Sequence, residues 1–360
     1  MATSLSTALP DLIFSTQLKE LEYSTNLDIV TLSLCEDEDW GTLIFSTTVY
    51  PVGGTAVFYD IASVVELYMQ KKGYSSMRLT VELSDSASNS LIVWTKSVIY
   101  CKYFVQLDAK SFVSNNFLTT MSYKRTFRNS TEYLSIYSDV GSLQIEANCI
   151  YRNNIGKTLS ATISLAAVSF SQAEIYTIAL KYDDIVDNLK KNNFDAKKLL
   201  AYTVLCNGRA FTFYVQDVTP EVSFTFRNCF NVLETVSLSA VTTTKTKVER
   251  SIAVLSTMSC PYDLEVTKEY EVQSAPLTYD EAQWIEQLFM SPCVWLGADK
   301  SIEALPMVII TDSTCEISDT NTDSNSVKFS WRFAEAEPHI HTMNMPDDRI
   351  HKEQFTHQYN

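Results

Sequence analysis

The chain has 360 residues, 46% of them hydrophobic, and a formal net charge of −15. That length exceeds a typical single domain, and the apolar content is enough to bury a sizeable core. The acidic balance sets nucleic acid aside as a partner, because phosphate recognition needs clustered Lys and Arg.

Only 8 Gly and 9 Pro occur, so Ser, Thr, Asn and Asp must carry the turns. The 19 Tyr and 18 Phe, with abundant Val, Ile and Thr, are strand composition. In chain order, Met1 to Pro10 reads as a loose arm or edge strand, and Leu27 to Leu34 as a strand with partial alternation. No basic segment precedes Leu12-Ile13-Phe14, so no secretory leader is legible and a soluble, reducing compartment is expected. Glu36-Asp37-Glu38-Asp39 is an acidic turn, read as solvated rather than cation-binding. Gly41 to Val49 and Thr55 to Phe58 follow as strands around Pro51-Val52-Gly53-Gly54. Asp60 or Ser63 is placed to cap a helix whose Ile61, Val64, Val65 and Tyr68 share one face, and Gly73 ends it.

Met77 to Leu83 and Leu91 to Phe104 alternate on either side of a turn-forming Asp85-Ser86-Ala87-Ser88-Asn89 cluster. The middle of the chain is strand after strand: Tyr133 to Tyr137, Leu143 to Tyr151, Leu159 to Phe170 and Tyr176 to Leu180. The stretch from Ala161 to Phe170 is far too short and too interrupted to span a membrane. A composition shift at Asn153-Asn154-Ile155-Gly156-Lys157 marks the expected domain boundary. Asp184 to Asn193 is a second helix, with Ile185, Val186 and Leu189 on one face. Asn207-Gly208 is a hairpin turn between strands. The third helix is the clearest: Thr278 caps it, Glu281 completes a capping box, and Pro292 stops it. Val327 to Phe333 alternates as a last strand, and the final 20 or so residues read as weakly ordered or partner-dependent.

A strand–helix–strand pattern occurs twice, in Val57 to Tyr68 with Val98 to Cys101, and in Ile178 to Leu189 with Phe226 to Cys229. The register is not uniform. Val64 maps onto Ile185, whereas Thr126-Phe127-Arg128-Asn129 also matches Thr225-Phe226-Arg227-Asn228. A duplicated β-domain and chance similarity of strand-rich segments both remain open.

Reactive chemistry is sparse. The four histidines, His339, His341, His351 and His357, all lie in the tail, so a Ser or Cys nucleophile would need its base delivered from there. No glycine-rich phosphate loop is present. The eight Cys stand singly, mostly in apolar runs, and are expected as reduced core residues. Asp319 to Asn325 spaces oxygen ligands like a calcium loop, but lacks the central Gly and has Ser330 in place of the closing Glu. His339-Ile340-His341 puts two imidazoles on one strand face, the low-ranked metal candidates, against a reading as solvated tail residues.

Several longer motifs resemble uncharacterised structural proteins from tailed phages and prophages of Bacteroides-type bacteria. They include Tyr50-Pro51 through Tyr68, Ile99-Tyr100-Cys101, Phe117-Leu118-Thr119, and Arg128 to Tyr137. Phe226 to Phe230, Leu233-Glu234-Thr235, Leu277 to Leu288, Ser291 to Leu296 and Phe329 to Ala334 continue the likeness. These are packing and turn signatures, and the resemblance implies a virion tail or baseplate component with no catalytic residue to carry over.

The expectation is therefore a mainly-β protein of two β-sandwich-like domains, 1–152 and 153–360, the second ending in an extended C-terminal arm. Short α-helices are expected near 61–72, 184–193 and 279–290. Its expected role is a non-enzymatic tail or distal-tail subunit, without cofactor, assembled in the bacterial host cytoplasm and resident in the virion. Partners would be further copies of itself and other phage tail proteins, joined by strand addition at the arms, with no membrane contact. Trp295 and Trp331 are core residues or interface anchors. The alternative is a carbohydrate- or receptor-binding module that could meet a host surface glycan, which needs exposed aromatics beside polar groups in a cleft.

Overall fold

The computed structural model describes residues 4–5, 9–36, 41–103, 105–138, 141–255, 258–298, 302–317 and 325–335. The fold is mainly β, with sandwich-like units and short helices close to the expected positions.

The first unit comprises β1 (Ser4–Leu5), β2 (Leu12–Phe14), β3 (Glu20–Ser24), β4 (Val30–Glu36), β5 (Leu43–Val49) and β6 (Thr55–Tyr59). It continues through α1 (Ile61–Lys72), β7 (Ser76–Ser84) and β8 (Ser90–Ile99). A five-stranded sheet, ordered β2-β8-β7-β4-β5, faces a small sheet of β1-β3-β6. Alternation places Leu32, Leu34, Leu79, Val81, Leu21, Tyr23 and Phe58 between them, all buried. α1 adds Ile61, Val65 and Met69 to the same core. Asp60 does not cap it as expected. It sits at φ 58° with no side-chain capping bond, whereas Gly73 closes the helix at φ 75° in the left-handed region Gly tolerates.

A connector carries α2 (Ala109–Asn115), a helix the sequence pattern did not announce, capped by the Asp108 side chain accepting from Ser111 N at 2.9 Å. The second unit follows: β9 (Tyr123–Phe127), β10 (Thr131–Ser138), β11 (Gly141–Arg152), β12 (Thr158–Phe170), β13 (Glu174–Lys181), α3 (Tyr182–Lys191), β14 (Lys198–Cys206) and β15 (Arg209–Gln216). Its sheets run β9-β15-β14-β11-β12 and β10-β13.

Apart from β1, which has no counterpart among the described residues of the second unit, these two units repeat one topology strand for strand. In each, an opening strand lies parallel to the closing one, β2 on β8 and β9 on β15. In each, two hairpins share the larger sheet, β4/β5 with β7/β8 and β11/β12 with β14/β15. The strand before the helix crosses to the smaller sheet in both, β6 onto β3 and β13 onto β10.

The expected boundary at 152/153 falls in the turn between β11 and β12, which are paired from Arg152↔Thr158 to Gly141↔Phe170. The composition shift there marks a hairpin turn inside one sheet, because Asn and Gly serve tight turns as readily as linkers. The described chain instead resolves into three units, with the second running from about β9 to β15.

The third unit is different in plan. It comprises β16 (Val222–Arg227), β17 (Leu233–Leu238), β18 (Ala240–Leu255), β19 (Met258–Ser274), α4 (Tyr279–Met290), β20 (Val294–Leu296), β21 (Met307–Glu316) and β22 (Ser326–Phe333). One seven-stranded sheet, ordered β17-β16-β20-β21-β22-β19-β18, packs against α4 through Phe224, Phe226, Phe329 and Trp331. Thr126–Asn129 and Thr225–Asn228 both end the opening strand of a unit, β9 and β16. β9 lies parallel to β15 whereas β16 pairs antiparallel with β17 and β20, so this second register is a local likeness, and the structural repeat is the one between the first two units. Cys229 belongs to the third unit and is not the repeat partner of Cys101.

Candidate functional site

Three places carry chemistry that the core alone does not require. The first is the seam between the second and third units, which buries ions. Lys124 is 2% exposed, and its Nζ lies 2.6 Å from Glu132 Oε2 and donates to Thr235 O at 2.9 Å. The ammonium also stands 5.6 Å from the Phe213 ring centre and 5.3 Å from that of Trp284. Glu132 Oε1 accepts from Thr126 Oγ1 at 2.7 Å. Glu234 accepts from Thr119 Oγ1 and Asn228 Nδ2, both at 2.9 Å. Burial nevertheless pushes the Glu234 carboxyl up, against the opposing pull of Lys124, Asn228 and Thr119. The residues converge because β9, β10 and β17 meet edge to face, with Thr235 Oγ1 donating to Thr131 O at 2.8 Å.

The second is a cleft of about 430 Å³ where all three units meet. Its floor is prebuilt by hydrogen bonds within the third unit and from it to the other two. Lys102 N donates to Cys229 O at 2.9 Å, Cys229 N to Gln287 Oε1 at 3.1 Å, and Gln287 Nε2 to Thr120 Oγ1 at 2.7 Å. Arg227 donates to Asn231 O at 2.8 Å, and Asn231 Nδ2 to Tyr74 O at 2.8 Å. α4 turns Asp280, Gln283, Gln287 and Met290 into the cleft along one helical stripe. Its start is fixed by the expected capping box, with Glu281 N donating to Thr278 Oγ1 and Thr278 N to Glu281 Oε2. Glu281 also takes both Arg125 Nε and Nη2 at 2.6 Å, tying α4 to β9. Tyr103 and Tyr123 line the opening, and Tyr103 is half exposed. Burial raises the thiol of Cys229 well above its usual range and that of Cys101 to about 11, so both are protonated, poor nucleophiles at neutral pH.

The third is the β18–β19 hairpin. It joins β22 only through Tyr270↔Trp331 to Gln273↔Lys328, near its base. From Lys245 to Lys268 its only backbone ladder among the described residues is within itself. Residues 241–250 are exposed on both faces of the strand, so no layer of described residues covers either side. Lys245 pairs with Glu271 across the ribbon, and Lys247 with Glu249 along it.

His339 and His341 lie outside the described residues, as do most of the acidic turn after Glu36 and most of the Asp319–Asn325 loop. Glu36 accepts from Tyr68 Oη at 2.5 Å, and Ser330 is a ladder residue of β22 opposite Glu271. Among the described residues no three His, Cys, Asp or Glu side chains converge as a metal-holding group. No described helix is long and apolar enough to cross a membrane. Trp331 is a core residue, stacked 4.3 Å from Tyr270, while Trp295 is half-buried in β20. The cleft residues Tyr103, Tyr123 and Gln283 had no signal in the sequence, because they come from three units and meet only in the fold. The ribbon did leave one, the Thr- and Lys-only run of Thr242 to Lys247, which is strand-forming and equally polar on both faces.

No family model matches the chain, and no curated protein does. Among solved structures, fibronectin(III)-like modules of CbhA from Clostridium thermocellum share 11% identity over 60% of this chain and 94% of theirs, with a TM-score of 0.16. CBD12 from CALX1.2 shares 8% identity over 57% of this chain and 79% of its own, with a TM-score of 0.17. The fold described above rests on strand order and pairing, not on these overlaps.

Proposed function

We propose that the protein is a non-enzymatic structural subunit that self-assembles, of the kind found in a phage tail or its distal end. In this reading it is assembled in the bacterial host cytoplasm and resident in the virion, beside other tail proteins. The observation that carries the self-assembly is the β18–β19 ribbon. A two-stranded hairpin is marginal in water on its own, and from Lys245 to Leu255 this one reaches about 33 Å, at about 3.3 Å per residue. Among the described residues no further strand joins the ladder beyond Lys245 and Lys268, which leaves strand edges open to addition by a neighbouring copy. The charges of Lys245, Lys247, Glu249 and Arg250 along β18 would set the register. The phage-tail assignment itself is supported by the sequence resemblance.

Light scattering at rising protein concentration tests it. The intact chain should form a discrete ring-sized oligomer or a filament. Replacing Val248–Val266 by Asn-Gly closes the Lys247–Thr267 pair with a two-residue turn, and this protein should stay monomeric with an unchanged melting temperature. A monomer at every concentration for the intact chain, or assembly unaltered by the shortened ribbon, would overturn the proposal.

A further inference from the structure

We infer that the cleft between the three units is a binding site for a neutral oligosaccharide. Three features of its lining lead there. First, aromatic faces are available: Tyr103 is half exposed, Tyr123 is partly exposed, and Trp284 closes the wall behind them. Tyr123 is held by an edge-on contact with Tyr214, with centroids 6.2 Å apart, so its ring is presented rather than loose. The C–H faces of a pyranose stack on such rings, which have an apolar body and a polar tip.

Second, planar hydrogen-bonding groups stand beside the rings. Asp280, Gln283 and Glu286 project from one side of α4, and a carboxylate or carboxamide can span two neighbouring sugar hydroxyls. Gln283 is already oriented, because its Nε2 donates to Tyr279 Oη at 2.7 Å. Third, the charge balance disfavours an anion. Lys102 and Arg227 are matched by Asp280 and Glu286 in the lining, and Arg227 is already donating to Asn231 O and Gly73 O. A phosphate or sulfate would meet those two carboxylates with little spare positive charge. The volume sits within the roughly 300–1,000 Å³ of small-molecule pockets, with room for a short oligosaccharide. The rigid floor means that little ordering is needed on binding.

The inference is independent of self-assembly and can be tested without it. The full chain is applied to an immobilised array of neutral and acidic glycans, and each neutral hit is titrated as a soluble oligosaccharide by calorimetry. Tyr103→Ala and Gln283→Ala, both at exposed positions, should keep the wild-type melting temperature and each weaken binding about tenfold or more. The shortened-ribbon protein should bind as the intact one does. Absence of binding to any neutral glycan, preference for acidic glycans, or affinity unchanged in both variants would overturn the site.

Discussion

Lys124 shows how much one side chain can be asked to hold. It is buried, ion-paired to Glu132, bonded to the Thr235 carbonyl, and flanked by the Phe213 and Trp284 rings. Burying the pair costs desolvation on both sides, so the pair is poor evidence of net stability, but breaking it strands a carboxylate in the seam. Lys124→Met should therefore cost about 3–5 kcal/mol in urea unfolding, and adding Glu132→Leu should recover most of that. A single-variant loss near zero would mean that water reaches the seam. Glu234 gives a pH signature. Its folded pKa is raised above the ordinary value of 4.5, so the folded state holds the proton more tightly than the unfolded chain. The stability this contributes is fully present below that value and is lost as pH rises through the folded pKa. Glu234→Gln removes the loss, and the variant should gain on the wild type as pH rises above 4.5, until the folded carboxyl has ionised. A difference constant across that rise would show that the carboxyl is already ionised in the fold.

At the scale of elements, α4 is both a core helix and one wall of the cleft, and its first turn decides both. Thr278→Ala removes one cap and should cost about 1 kcal/mol by thermal or urea unfolding. Glu281→Ala removes a cap and the Arg125 fork together and should cost about 2 kcal/mol, the exposure of Arg125 limiting the ion pair's share. Equal losses in the two variants would mean that the fork does not tie α4 to β9. This helix was fully legible in the sequence, because a capping box, an apolar period and a terminating Pro all act locally. α1 was legible in its apolar face, its 61–72 bounds and Gly73, but not in the left-handed backbone of Asp60, which makes no side-chain capping bond. The boundary at 152/153 was misread because Asn153 to Lys157 serves a hairpin, and a turn looks the same in sequence whether or not its flanking strands pair. The ribbon was passed over because its two faces are equally polar, so no alternation separates an inside from an outside. The cleft was invisible for a simpler reason: Tyr103, Tyr123 and Gln283 become neighbours only when three separate units dock.

The docking of those units is the property of the molecule as a whole, and one small aromatic cluster stands at its centre. Phe14, Ile99 and Cys101 come from the first unit, Ala109 and Val113 from α2, Leu118 and Tyr137 from the second unit's side, and Phe230 and Val232 from the third. Phe230 is fully buried, stacked on Phe112 with centroids 5.4 Å apart and tilted against Phe14 at 6.2 Å. It sits in the Asn228–Asn231 turn, whose amides are fixed by Asn228 Oδ1 accepting from Phe230 N at 2.9 Å. Its ring belongs to this junction cluster and not to the core cluster of any one unit. Phe230→Ala should cost about 3–5 kcal/mol, the range for a buried Phe leaving a cavity. The loss should fall on the coupling between units rather than on any one of them. Calorimetry should show this as a single unfolding transition in the wild type that separates into two or more in the variant. The strand content read by circular dichroism at 25 °C should stay unchanged. A variant that still unfolds in one step, shifted to lower temperature, would show that the buried ion seam and the cleft hydrogen bonds already couple the units without the aromatic cluster.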